Sequence, residues 1–390
     1  MTGMPVTAVQ LTGARVVMPE AILESGTVVV RDGQIVSVGD DMAPGRTSGG
    51  GQTYDLGGLL LLPGFIDLHV HGGGGATFDD GAASIATGLA THRAHGTTRS
   101  LVSLVTAPAR QMLTTITGAA AYAVTDPGVL GLHLEGPFLS VDRRGVHDPA
   151  SLLMPDPLLL QRFLDAGAGL VRVVTVAPEL PGGLDMVQQL VSAGIHPAIG
   201  HSDAGYDVAR QAFRAGADLV THAFNGMRPL HHRDPAIIGA AMDAGAVLEV
   251  INDGVHLHDA TVRLLRSIAP GRVALITDAM GAACASDGLY QLGAFDVRVT
   301  GGQARLVSDG TIAGSTLTMG TAVKRAVQQV GMPLLEAVNA ASLVPATLLG
   351  VQEEFGSIAP GRAADLVVTD ADLNIRAVMV SGEWIDARRP

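Results

Sequence analysis

The sequence predicts an α/β protein: a (β/α)8, TIM-like barrel with a small β-sandwich domain formed from both chain ends. Three observations carry this. Eight short apolar runs alternate with helix-like segments through the middle of the chain, and such alternation implies parallel strands. The first sixty and last forty residues are β-rich, and neither piece alone has enough strands to cover an apolar face. Polar residues capable of chemistry follow several of the eight runs, at the strand ends where a barrel builds its site.

Taken in order, residues 27–30 and 34–38 flank Asp32-Gly33, a hairpin signal. Residues 44–52 are polar and glycine-rich and read as a surface loop. Barrel strands are expected at 65–70, 98–104, 131–134, 170–176, 196–199, 219–221, 248–251 and 273–276. Helices are expected at 80–94, 109–124, 151–166, 184–193 and 207–215, with more helical sequence in 314–348. Residues 364–368 read as a strand, and 375–380 and 383–385 flank Ser381-Gly382 as a second hairpin. The expected domains are 1–62 with 350–390 (the β domain) and 63–349 (the barrel). A doubly wound open sheet gives the same alternation, so the count of runs does not by itself close the barrel.

Composition excludes several classes. Of 390 residues one is cysteine, Cys284, so neither an intrachain disulfide nor a Cys₄ zinc site can form. The one lysine, Lys324, lies past the eighth strand. That removes a carboxylated lysine bridging two metals. A net charge of −12 argues against a nucleic-acid partner. No apolar run reaches a membrane span. Residues 1–16 lack a charged start followed by an apolar run, so the expected location is cytoplasmic.

The strand ends carry the chemistry. His69-x-His71 puts both imidazoles on one face of the first strand, because side chains alternate with period two. Gly72 to Gly75 then let the backbone approach a bound group. Glu135 ends the third strand, where a metal or an arginine could satisfy a buried carboxylate. His133, two residues earlier, reads as a core or supporting histidine. His201 and His222 follow the fifth and sixth strands; each alone fits a core histidine, and together they fit metal ligands. Asp278 ends the eighth strand and reads as a general base, or else as a helix N-cap.

The motifs extend further: Pro63-Gly64-Phe65-Ile66-Asp67-Leu68-His69-Val70-His71-Gly72, Leu134-Glu135-Gly136-Pro137-Phe138, Gly200-His201-Ser202, Thr221-His222-Ala223-Phe224-Asn225-Gly226-Met227, Asn252-Asp253-Gly254-Val255-His256, Thr277-Asp278-Ala279 and Ala313-Gly314-Ser315-Thr316-Leu317. In this order, over essentially the whole chain, they resemble the N-acetylglucosamine-6-phosphate deacetylase family of the amidohydrolase superfamily. The resemblance implies Glu135, His201 and His222 as ligands of a main metal. It implies His69 and His71 as ligands of a second, with Glu135 able to bridge. The ion implied is divalent, zinc first, with Fe2+, Mn2+ or Co2+ as alternatives, and one or two per subunit. Asp278 resembles the catalytic base and acid, and His256 the residue that polarises the acetyl carbonyl. Asn225 and Gly226 resemble phosphate-side contacts, and His147 a loop histidine at the sugar hydroxyls. Arg233 resembles an arginine reaching the phosphate from the partner in a homodimer. The implied reaction is hydrolysis of N-acetyl-D-glucosamine 6-phosphate to D-glucosamine 6-phosphate and acetate. The alternatives are an N-acetylgalactosamine-6-phosphate deacetylase, another amidohydrolase, or a non-catalytic scaffold relative.

Overall fold

Asp32 and Gly33 both adopt positive φ, and the chain reverses there between strands Ile22–Arg31 and Gln34–Asp40. Gly33 is required at this turn: a Cβ would lie 2.8 Å from the Ser381 carbonyl oxygen. The computed structural model describes residues 8–40, 51–385 and 389–390. The loop expected over 44–52 falls outside the described residues up to residue 50, and Gln52 begins a strand, Gln52–Asp55.

The chain divides into two compact units, one of 1–66, 92–99 and 319–390 and the other of 67–91 and 100–318. In the first, strands from both ends join one hydrogen-bonded eight-stranded sheet. The link is Leu60–Pro63, antiparallel to Leu366–Thr369 with Leu61 opposite Val368. The hairpin expected at Ser381-Gly382 pairs Ile375–Val380 with Glu383–Trp384. Val9, Leu11, Val28, Ile35, Leu61, Leu366 and Met379 are buried together, so each end covers the apolar face that the other leaves open. Arg99 and Asp365 form a buried bidentate pair, at 2.6 and 3.0 Å.

The barrel strands are β1 (Phe65–Asp67), β2 (Thr97–Val105), β3 (Val129–Glu135), β4 (Val171–Val176), β5 (His196–Ile199), β6 (Leu219–Val220), β7 (Val247–Ile251) and β8 (Val273–Ile276). They are hydrogen-bonded in sequence order, and the pairings from β2 to β8 are parallel. Closure is decided just past the ends of β1 and β8. Val70 bridges Ala279 in parallel, His71 N–H donates to the Ala279 carbonyl, and Asp278 N–H donates to the His69 carbonyl, both at 2.8 Å. Asp67 reinforces the seam by accepting the Thr277 hydroxyl at 2.6 Å. The open-sheet alternative therefore falls.

The expected helices appear within one to two residues of their predicted bounds, with one exception. The helix expected at 151–166 is Pro157–Ala166. Asp156 caps it by accepting from the Leu158 and Leu159 N–H groups, with Pro157 in the first turn; proline favours that position because its missing donor is unneeded there. An antiparallel three-stranded sheet was not expected from sequence: Gly288–Leu292, Phe295–Thr300 and Gln303–Leu306. Its inner residues Leu292, Val297, Val299 and Leu306 pack with Val105, Met280 and Ala313. Among the described residues no helix is long and apolar enough to cross a membrane.

Candidate active site and metal centre

The strand ends deliver their side chains to one buried cluster. His69 Nε2 lies 3.0 Å from His71 Nε2, and His201 Nε2 lies 3.0 Å from His222 Nε2. Glu135 stands between the pairs. Its Oε1 is 3.1 Å from His201 Nε2 and 3.2 Å from His222 Nε2. Its Oε2 is 3.2 Å from His71 Nε2. Asp278 Oδ1 is 3.5 Å from His69 Nε2 and 3.4 Å from His71 Nε2. The period-two geometry expected of His69-x-His71 holds: both rings point inward and both are buried.

Three of these residues sit on unusual backbone. His201, His222 and Asp278 have φ of +47°, +27° and +47°. Positive φ is uncommon for residues with a Cβ, and such strain clusters at functional sites. Gly226 follows the same logic: at φ +54° its Cβ would lie 2.9 Å from His201 Nδ1, so only glycine lets this loop pack against the His201 ring.

The hydrogen bonds fix ring orientation. His201 Nδ1 faces the Arg143 carbonyl at 2.9 Å, and His69 Nδ1 faces Glu249 Oε2 at 3.2 Å. An Nδ1 held as donor leaves the Nε2 lone pair for a ligand. Paired Nε2 atoms at 3.0 Å, facing carboxylate oxygens, repel one another unless a proton or a cation lies among them. Among the described residues, two donor groups have ligand atoms mutually within 4.8 Å: His69, His71 and Asp278; and Glu135, His147 and His201. The donor set of imidazole nitrogen and carboxylate oxygen fits a divalent transition metal. His133 does not join it, because its two ring nitrogens contact Ser103 Oγ at 3.0 Å and Thr175 Oγ1 at 2.8 Å.

Charge follows from burial and neighbours. Burial alone would raise Asp278, but the His69 and His71 imidazoles hold its carboxyl well below the usual range. Glu135 is likewise held low against burial, by His69, His147 and His201. Burial opposes protonation of His71, yet Asp278 and Glu135 push its pKa up to about 9. His256 is raised too. Burial works against its charged form, and the Asp253 carboxylate, 2.7 Å from Nδ1, outweighs burial.

A cavity of about 280 Å³ opens onto the cluster. His71, Glu135, His147, His201, His222, Asn225, Gly226, His256 and Asp278 line it, with Val105, Leu292 and Ile312 among the apolar lining. His147 is buried, 3.6 Å from Glu135 Oε2 and edge-on to the His201 ring. Asn225 turns its amide onto the His222 and Ala223 carbonyls. Arg233 is exposed and does not line this cavity; its guanidinium contacts His232 at 2.7 Å. Gly72 is also required by the local backbone. It pairs in a tight hairpin with Ala76–Thr77, where its Cβ would meet the Ala76 carbonyl oxygen.

Sequence reasoning missed Glu249, Asp67 and Asp253. Each had a signal. Glu249 interrupts the apolar run of β7, Asp67 ends β1, and Asp253 lies three residues before His256. A buried carboxylate in an apolar strand demands a partner, and the partner of Glu249 is His69, 180 positions away.

A family model described as the amidohydrolase family matches residues 60–385. A solved N-acetyl-D-glucosamine-6-phosphate deacetylase from Mycobacterium smegmatis, an aspartate-to-alanine variant in complex with N-acetyl-D-glucosamine-6-phosphate, is 40% identical. It superposes with a TM-score of 0.92 over 97% of this chain and 99% of its own. The N-acetylglucosamine-6-phosphate deacetylase of Bos taurus is 36% identical over 97% of this chain and 95% of its own length. The N-acetylgalactosamine-6-phosphate deacetylase of Escherichia coli O157:H7 is 39% identical over 83% of this chain and 87% of its own. The closed barrel with ligand-type side chains at its strand ends is thus that of a metal-dependent hydrolase. The chain belongs to the amidohydrolase superfamily and, within it, to the N-acetylglucosamine-6-phosphate deacetylase family.

Proposed function

We propose that this protein removes the acetyl group from N-acetyl-D-glucosamine 6-phosphate, giving D-glucosamine 6-phosphate and acetate. The observation that carries the reading is the convergence of Glu135, four histidine Nε2 atoms and Asp278 at the mouth of a closed barrel, in a chain of this family. Glu135, His201 and His222 would hold one divalent ion, and His69 and His71 a second, with Glu135 within reach of both groups. Zinc suits these nitrogen and oxygen donors; Fe2+, Mn2+ and Co2+ suit them as well. Bound there, the ion lowers the pKa of a water toward about 7 and polarises a carbonyl.

The residues of the chain supply the rest. Asp278, ionised at neutral pH, takes a proton from the attacking water. The water oxygen adds to the acetamide carbon. His256, aligned by Asp253, donates a hydrogen bond to the carbonyl oxygen as negative charge develops on it. Asp278 passes its proton to the amide nitrogen, the C–N bond breaks, and the amine and acetic acid form, the acid giving its proton to the amine as the two leave as acetate and ammonium. Asn225 and Gly226 face the phosphate end, and His147 the sugar. Phosphate binding far from the reacting carbon helps orient it. With a chain charge of −12, an anionic sugar needs a local cation. Arg233 serves if a second copy carries it into the site, which makes a homodimer part of this proposal. The proposed location is the cytoplasm.

The test is acetate release from N-acetylglucosamine 6-phosphate after metal depletion and add-back. Loss on depletion and recovery on zinc addition are expected; turnover that ignores the metal overturns the reading. The 39% identity to a galactosamine-type relative favours a second substrate, the galactose epimer. A higher kcat/KM on N-acetylgalactosamine 6-phosphate would reassign the substrate.

A further inference from the structure

A second cavity, of about 340 Å³, adjoins the first, with Thr77, Asp79, Thr106, Asp148, Gln291 and Gly293 in its lining. Val105 lines both cavities. Leu292 lines the first, while its chain neighbours Gln291 and Gly293 line the second. A Cβ built on Gly293 would lie 3.6 Å from Val105 Cγ2, so the two segments touch. Val105 and Leu292 are 7% and 3% exposed and belong to one apolar cluster. Two aliphatic side chains therefore divide the catalytic cavity from a second one whose lining is polar and apolar in about equal measure.

Resting on the deacetylase reading, the substrate has one apolar end, the acetyl methyl group. Its phosphate and hydroxyls belong with the polar side of the site. The aliphatic residues lining the catalytic cavity are Val105, Val146, Leu292 and Ile312. Val105 is the one paired in register with Glu135, on the adjacent strand. We infer that Val105 and Leu292 close the acyl end of the site and restrict the enzyme to the acetyl group. Shortening either side chain joins the two cavities and admits longer acyl chains.

The experiment compares kcat/KM for the N-acetyl, N-propanoyl and N-butanoyl derivatives of glucosamine 6-phosphate. It uses the zinc-loaded native chain, Val105→Ala and Leu292→Ala. One methylene in a closed apolar pocket changes kcat/KM by about 10- to 200-fold. The native chain is expected to disfavour propanoyl by that factor, and each variant to bring the propanoyl-to-acetyl ratio at least about 10-fold closer to one. A native chain that takes butanoyl as readily as acetyl overturns the partition. So does a ratio that stays within about twofold of native in both variants. Because a ratio is read, a general loss of activity does not imitate the effect. The residues lie on different elements, so one folded variant is enough. No acid release from any of the three compounds by the native chain would overturn the deacetylase reading, and the partition with it.

Discussion

Replacing Glu249 by glutamine tests whether one buried carboxylate orients the metal ligands. Glu249 is 1% exposed on β7. Its Oε2 is 3.2 Å from His69 Nδ1 and accepts the His222 backbone N–H at 3.2 Å, so it touches one residue of each proposed ion site. Glutamine has the same shape, so no cavity forms. It can still offer one oxygen, but it loses the charge that strengthens the bond to His69. A hydrogen bond to a charged group contributes about 1.5–3 kcal/mol net, which is roughly 10- to 150-fold in an equilibrium constant. That agrees with the roughly 10- to 100-fold loss of metal affinity typical when the hydrogen-bond partner of a ligating histidine is removed. The assay is zinc affinity by chelator competition, on protein shown to be folded by circular dichroism. Affinity within about twofold of native would refute the claim that Glu249 orients His69.

Other perturbations test the rest of the argument. Asp278→Asn keeps the shape but removes the proton acceptor, so kcat should fall by about 10²- to 10⁴-fold with zinc content unchanged; near-native turnover would remove Asp278 from its role. The metal-free chain should also respond to pH through His71. Its pKa is raised from 6.5 to about 9 in the fold, because Asp278 and Glu135 outweigh burial. A raised folded pKa gives stability that is complete below 6.5 and lost as pH climbs through about 9. The loss is on the order of 3 kcal/mol, while zinc affinity rises over the same window as the proton leaves. Thermal midpoints at pH 6.5, 8 and 9, with and without zinc, check both signs; a flat metal-free profile would contradict the first. In the first unit, Asp365→Ala leaves the Arg99 charge buried without its bidentate partner, at a cost of about 3–5 kcal/mol. Urea unfolding measures it, and a loss under about 1 kcal/mol would mean that Ser381 and its surroundings suffice.

The sequence alone determined the barrel strands and pointed to most residues of the candidate site. Strand and helix periods are local, so β1 to β8 could be found within a few residues each. A polar residue after an apolar run is also a local signal. That is why Glu135, His201, His222 and Asp278 could be named before any contact was known. The hairpins at Asp32-Gly33 and Ser381-Gly382 were legible because turn chemistry is carried by adjacent residues. Closure of the barrel was not. It depends on Val70 meeting Ala279, more than two hundred positions apart, and the energy of such a pairing leaves no local period. The same holds for Glu249 behind His69 and for Asp67 beneath Thr277. It holds again for the sheet at 288–306, which was not expected and whose inner face packs with Val105, far away in sequence. His147 shows the limit most clearly: its sequence context gave it a loop, and only the packed structure set it against Glu135 and His201.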